Sequence, residues 1–166
     1  WSGEELGLLG SQDYANIAAD RDEKILGVFN FDMIGFNPFK QRLELVTNPG
    51  SRWLADEMGA VGKRYAIDLD IDLLVDGGAR LSDHAPFWAR GYDAILGIEN
   101  YLPTDSTTYG VREGIYRVNS QYHSVADLPD SINWELMRRT TQLAVATLAQ
   151  YGLGQGEPNL AVFTGD

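Results

Sequence analysis

Apolar and polar positions along the chain fall into two rhythms. Lys24 to Phe36, KILGVFNFDMIGF, is an almost continuous run of apolar, branched and aromatic residues, the pattern of a strand covered on both faces of a parallel or mixed sheet. Arg42 to Thr47 (RLELVT) alternates and predicts a neighbouring strand. Ala66 to Val75 (AIDLDIDLLV) alternates between apolar residues and aspartate, predicting one buried and one wet face. Asp93 to Glu99 (DAILGIE) predicts a short fourth strand. Helical spacing lies between these runs. Ser11 is placed to cap a helix through about Ala19, with Tyr14, Ile17 and Ala18 turned inward. Leu54, Met58, Val61 and Tyr65 share one helical face after Pro49-Gly50. Ser82 is placed to cap DHAPFWAR, a short helix closed by Gly91. Leu136, Thr140, Leu143, Thr147 and Tyr151 line one face of a last helix, Asn133 to Tyr151, which Gly152 ends.

Strands alternating with helices predict an α/β fold: a mixed, mostly parallel sheet with helices on both faces, in which ligands gather at the carboxyl ends of the strands. One domain is expected over residues 1–153, with 154–166 read as a linker or tail. Asn100 to Pro129 forms a long irregular connection, of a length that in compact domains goes with function. Phe87, Trp88 and Tyr101 read as core aromatics rather than as the lining of a pocket.

Charge narrows the partners. The 166 residues carry 24 acidic and 13 basic side chains, a net charge of −11, which argues against a nucleic-acid backbone or an anionic membrane surface. With no cysteine, disulfides, thiolate metal sites and thiol nucleophiles are excluded. No apolar run reaches the length of a membrane-spanning helix.

Against that background, a few polar residues call for an explanation. Glu4 and Glu5 stand side by side ahead of Leu6, Leu8 and Leu9, where paired carboxylates near an apolar wall need compensation, a cation being one candidate. Asp32 lies in VFNFDMIGF on the side of the strand shared by Val28, Asn30 and Ile34, either as a ligand or as a carboxylate paired with a cap or an arginine. The chain has two histidines. His123, beside Tyr122 in the long connection, reads as a surface residue or a ligand. His84, after Ser82 and Asp83, reads as orienting its neighbours or as a ligand.

Taken in order, GEE-LGLLGS, NFDMIG, SDHAPFW and QYHSVADLPDSIN resemble the co-catalytic zinc aminopeptidases, the family of the bacterial leucyl aminopeptidases, glutamate carboxypeptidase II and, more distantly, glutaminyl cyclase. The four motifs span about 130 residues. The resemblance implies a metal-dependent exopeptidase that removes N-terminal residues from peptide substrates using two zinc ions. Glu4 matches the general base that takes a proton from the metal-bridging water, and Tyr122 a donor to the developing oxyanion. Glu5 and His123 match ligands of one zinc, and Asp32 a ligand of the other. Asp83 and His84 match a motif at the rim of the site that supports the ligands. Adjacent side chains on a straight strand point to opposite faces, so Glu4 and Glu5 both serve one site only where the chain bends, and Gly3 and Gly7 flank them.

The family's remaining histidine and bridging aspartate lie upstream of the GEE segment, and the chain begins at Trp1. It therefore reads as the later part of a catalytic domain whose sheet is incomplete on the N-terminal side. Taken alone it is expected to bind zinc weakly, to hydrolyse nothing measurable, and to self-associate through an exposed sheet edge. By analogy with the family, whose members are commonly secreted or periplasmic, the resemblance implies such a location. Two other readings of the motifs are a glutaminyl cyclase-like acyltransferase and a non-catalytic, peptidase-like binding domain.

Overall fold

The computed structural model describes residues 1–36, 41–101, 119, 121–154 and 162–164. Its elements run α1 (Leu9–Asp20), β1 (Val28–Phe31), β2 (Arg42–Thr47), α2 (Arg52–Arg64), β3 (Asp70–Val75), α3 (Ala85–Ala89), β4 (Ala94–Ile98), a 3-10 turn at Pro129–Ser131, α4 (Trp134–Gly154) and β5 (Val162–Thr164). The strands form one sheet in the order β3-β2-β4-β1-β5. β1 runs parallel to both β4 and β5, β2 runs parallel to β3, and the β2–β4 pair is antiparallel. The sheet is therefore mixed and mostly parallel.

Two apolar layers enclose the sheet. Val28, Val46, Leu96 and Ile98 face Ala15 of α1 and Phe87 and Trp88 of α3. Phe29, Leu43, Leu45 and Ile95 face Leu54, Met58 and Val61 of α2 and Leu143 of α4. Successive strand residues turn to opposite faces, so the continuous apolar runs feed both layers, and the sheet carries helices on each side.

Several local expectations differ from the structure. β1 is much shorter than Lys24 to Phe36. Met33, at φ 53, breaks the alternation, so Ile34 packs into the α2/α4 layer instead of sharing a side with Asn30. β2 is not a neighbour of β1, because β4 lies between them. Every residue of β2 is buried, including Arg42 and Glu44, whose mutual attraction lets charged positions sit inside. Ser11 does not cap α1. It lies within the helix, fully buried, with Leu8 at the cap position. Ile17 and Tyr65 are exposed. Val162–Thr164, in the stretch read as linker or tail, pair with β1. The long connection expected over Asn100 to Pro129 falls mostly outside the described residues.

Parallel β1 and β4 end together, at Phe31 and Ile98, and the backbone N–H of Asp32 still donates to Gly97 O at 3.1 Å. That shared carboxyl edge is where the candidate site lies.

Candidate metal centre

Glu4 and Glu5 occupy a turn, not a strand. Gly3 at φ 71 and Gly7 at φ 103 adopt left-handed backbone that favours glycine, and Leu8 at φ 61 follows them. The amides of Gly7 and Leu8 both donate to Glu4 O, at 3.0 and 2.8 Å, closing the loop directly onto α1. The bend required of this segment is present. The apolar wall is not where the sequence suggested, since Leu6 is 77% exposed and Leu9 56%. The carboxylates instead line cavities between the turn and the sheet.

The larger cavity, about 710 Å³, is lined by Glu4, Glu5, Asn30, Asp32, Ser82 and Asp83 among its polar residues, with Ile34 and Met137 on its apolar side. A smaller one of about 240 Å³ shares Glu4, Glu5 and Asp32, then passes between the 78–82 loop, Tyr101 and Tyr122 to an apolar floor at Leu96 and Ile98. Phe87 and Trp88 are core, as read from sequence, and Tyr101 packs against that core while also lining this cavity. The Tyr101 hydroxyl donates to Asp76 Oδ2 at 2.9 Å, and Asp76 Oδ1 accepts from the Gly78 N–H at 2.8 Å, which shapes the start of that loop.

His123 reaches the turn across 118 positions of sequence: its Nε2–H donates to Glu5 Oε1 at 2.8 Å. His123 is itself in left-handed backbone (φ 56), and its ring stacks on that of Tyr122 at 3.7 Å. Both partners of the pair stay accessible, His123 at 51% and Glu5 at 68%.

Asp32 is held from below. The Asn30 amide donates to Ser82 Oγ at 2.8 Å, and the Ser82 hydroxyl donates in turn to Asp32 Oδ2 at 2.7 Å. Sequence reasoning missed this role of Ser82, reading it as a helix cap, although α3 has His84 at its cap position and no side-chain cap bond. A signal was available: Asn30 and Asp32 are polar positions on one side of an otherwise apolar strand and need a partner there.

Asp83 and His84 are both buried, and Asp83 lines the larger cavity. Asp83 Oδ1 accepts from the Ser11 hydroxyl at 2.5 Å. His84 is fully buried edge-on to Trp88, its Nε2–H donating to Ala79 O at 2.7 Å. Burial pushes its pKa down to about 4, with Arg80 adding in the same direction, so the ring is neutral and acts as a latch on the 79–82 loop.

The electrostatics are those of clustered acids. Desolvation first, then the charges of Asp32, Glu5 and Asp83, raise the pKa of Glu4, against a lowering by His123. Tyr122 is raised by desolvation and by Glu5, Asp32 and Glu4, so its hydroxyl keeps its proton at neutral pH. Such mutual repulsion makes the cluster receptive to a cation. Imidazole and carboxylate are ligands zinc takes. In kind the donors fit that ion, but in number they fall short: among the described residues no group of three His, Asp or Glu is arranged to hold a metal.

Residues 1–148 match the family described as Peptidase family M28. Leupeptin-inactivating enzyme 1 of Streptomyces exfoliatus is 34% identical over 167 residues, covering 95% of this chain and 35% of its own length. Aminopeptidase YwaD of Bacillus subtilis is 29% identical over 149 residues, 87% of this chain and 29% of its own. Among solved structures, BSAP, a zinc aminopeptidase from Bacillus subtilis, superposes with a TM-score of 0.68 at 26% identity, over 95% of this chain and 35% of that one. The LapA aminopeptidase of Legionella pneumophila shares the fold, with a TM-score of 0.71 at 24% identity over 91% of this chain and 38% of its own. The chain spans about a third of the length of the curated relatives it matches.

Proposed function

This chain belongs to peptidase family M28, and on that premise we propose that the full-length protein is a metal-dependent exopeptidase removing N-terminal residues from peptides. Glu4 is its general base, Glu5 and His123 ligands of one zinc, and Asp32 a ligand of a second. The observation that carries this reading is the 2.8 Å approach of His123 to Glu5 beside Glu4, residues brought together from opposite ends of the sequence. Zinc aminopeptidases among the relatives support the choice of ion.

When bound, zinc supplies polarisation of the scissile carbonyl and makes a neighbouring water more acidic. The chain's own residues do the rest. Glu4, its basicity raised by burial and by neighbouring carboxylates, takes a proton from the attacking water and returns it to the leaving amine. Tyr122, protonated and beside the same carboxylates, donates to the oxygen on which charge develops. The smaller cavity, apolar at its floor, receives the side chain of the departing residue. His123 and Glu5 would hold one ion between them, in place of the hydrogen bond they make with each other. The remaining ligands are placed in the rest of the full-length protein, and the isolated chain is expected to be inactive.

Aminoacyl-nitroanilide turnover by the full-length protein, with and without a chelator, tests this. Glu4→Gln is expected to retain zinc and lose roughly 10²–10⁴-fold in turnover, while Glu5→Gln loses zinc itself. Equal turnover in Glu4→Gln, or full zinc retention in Glu5→Gln, would contradict the assignment.

A further inference from the structure

Glu4 and Glu5 stand on an exposed turn that nothing in its own backbone ties to Asp32. Their relative position is set elsewhere. Ser11, in the first turn of α1 immediately after that turn, is fully buried, and Asp83 beside it is 4% exposed. The Ser11 hydroxyl has one proton. At 2.5 Å from Asp83 Oδ1, against 3.1 Å from Leu8 O, that proton goes to the carboxylate. Asp83 is bonded through the backbone to Ser82, whose hydroxyl holds Asp32. Among the described residues, this buried hydrogen bond spans the two halves of the site, the Glu4–Glu5 turn on α1 and the Ser82–Asp32 pair ahead of α3, and the Trp1 amino group adds an ion pair to Asp83 Oδ2 at 3.7 Å. A second bond joins the same helices, Arg90 Nε–H to Asn16 Oδ1 at 2.6 Å, but it is exposed and further along α1.

We infer that Ser11 and Asp83 are positioning residues, a clasp that fixes the Glu4–Glu5 turn against Asp32 and so sets the spacing of the carboxylates. The inference rests on the site residues proposed above but not on the peptide-cleaving chemistry. A buried carboxylate deprived of its donor moves to find another, and here the movement is transmitted to the turn.

The test uses the full-length, zinc-loaded protein and two readouts, steady-state kinetics and amide exchange at Gly7 and Leu8, whose N–H groups close the turn onto Glu4 O. Ser11→Ala is expected to lower kcat roughly 10–100-fold, the range for groups that orient ligands, with KM within about twofold, and to speed exchange at both amides. Asn16→Ala removes the other α1–α3 bond and is expected to leave kcat and exchange unchanged. Asp83→Asn keeps an acceptor for the Ser11 hydroxyl and is expected to leave exchange at both amides within about threefold of wild type, which holds the test open should Ser11→Ala fail to fold. The assignment is overturned if Ser11→Ala behaves as Asn16→Ala, losing thermal stability alone, or if Asp83→Asn speeds exchange at Gly7 and Leu8 as far as Ser11→Ala does. Should the full-length protein cleave no peptide, the peptidase reading fails, and amide exchange alone decides the clasp.

Discussion

At the scale of single residues, the surroundings of Asp32 suit the cation-holding role proposed for it. Ser82 satisfies one oxygen, Oδ2, and is itself anchored by Asn30, so the side chain is oriented before any ligand arrives. Groups of this kind fix a ligand's geometry and are worth about 10–100-fold in metal affinity. Ser82→Ala in the full-length protein is expected to weaken zinc binding by roughly that factor, read by competition with a chromophoric chelator. Unchanged affinity would show that Asp32 is held by other means. Glu4, Glu5, Asp32 and His123 were singled out in the sequence because their motifs follow the family's order. Ser82 was not, because a serine before a short helix carries the same signature whether its hydroxyl caps the helix or bonds across the fold. Only the three-dimensional approach of β1 to the 78–82 loop separates the two.

At the scale of elements, the bounds of β2 and the spacing of α2 and α4 were readable from periodicity, since burial of Leu54, Met58, Leu136 and Leu143 follows the 3.6 repeat. Alternation misled at β2 for a physical reason. It presents Arg42 and Glu44 on one side, where they pair at 3.3 Å and Arg42 also bonds Asp72 of β3, so a polar face became an interior one. The arrangement leaves a trace in pH dependence. Burial raises the Glu44 pKa, outweighing the lowering by Arg42. A carboxyl whose folded pKa exceeds its unfolded one binds its proton more tightly when folded. Its contribution to stability is full below the ordinary glutamate range and falls as pH rises through the raised folded value. Glu44→Gln removes this titration. The melting temperature of the variant minus that of wild type is therefore expected to increase from pH 4 to pH 7, by thermal scans at both. A difference that is flat, or that declines, would contradict the raised pKa.

At the scale of the whole molecule, a mixed sheet between two helical layers brings the ends of β1 and β4 to one edge, and every residue singled out for chemistry belongs to segments that meet there. The acidic balance of the chain gains a local meaning at that edge. Glu4, Glu5 and Asp32 share the same two cavities, with Arg80 lining the smaller one, and the charges of Asp32 and Glu5 add to burial in raising the pKa of Glu4. Fold class and layering were legible from the rhythm of apolar runs. The convergence of His123 on Glu5 was legible only through family resemblance, because no periodicity encodes a contact between the two ends of a chain.

Anomalous diffraction at the zinc edge, from crystals of the full-length protein, tests this most directly. Two peaks are expected, one within bonding distance of Glu5 and His123 and the other beside Asp32. Zinc-soaked crystals with no peak at these residues, or with all anomalous density elsewhere on the molecule, would contradict the account.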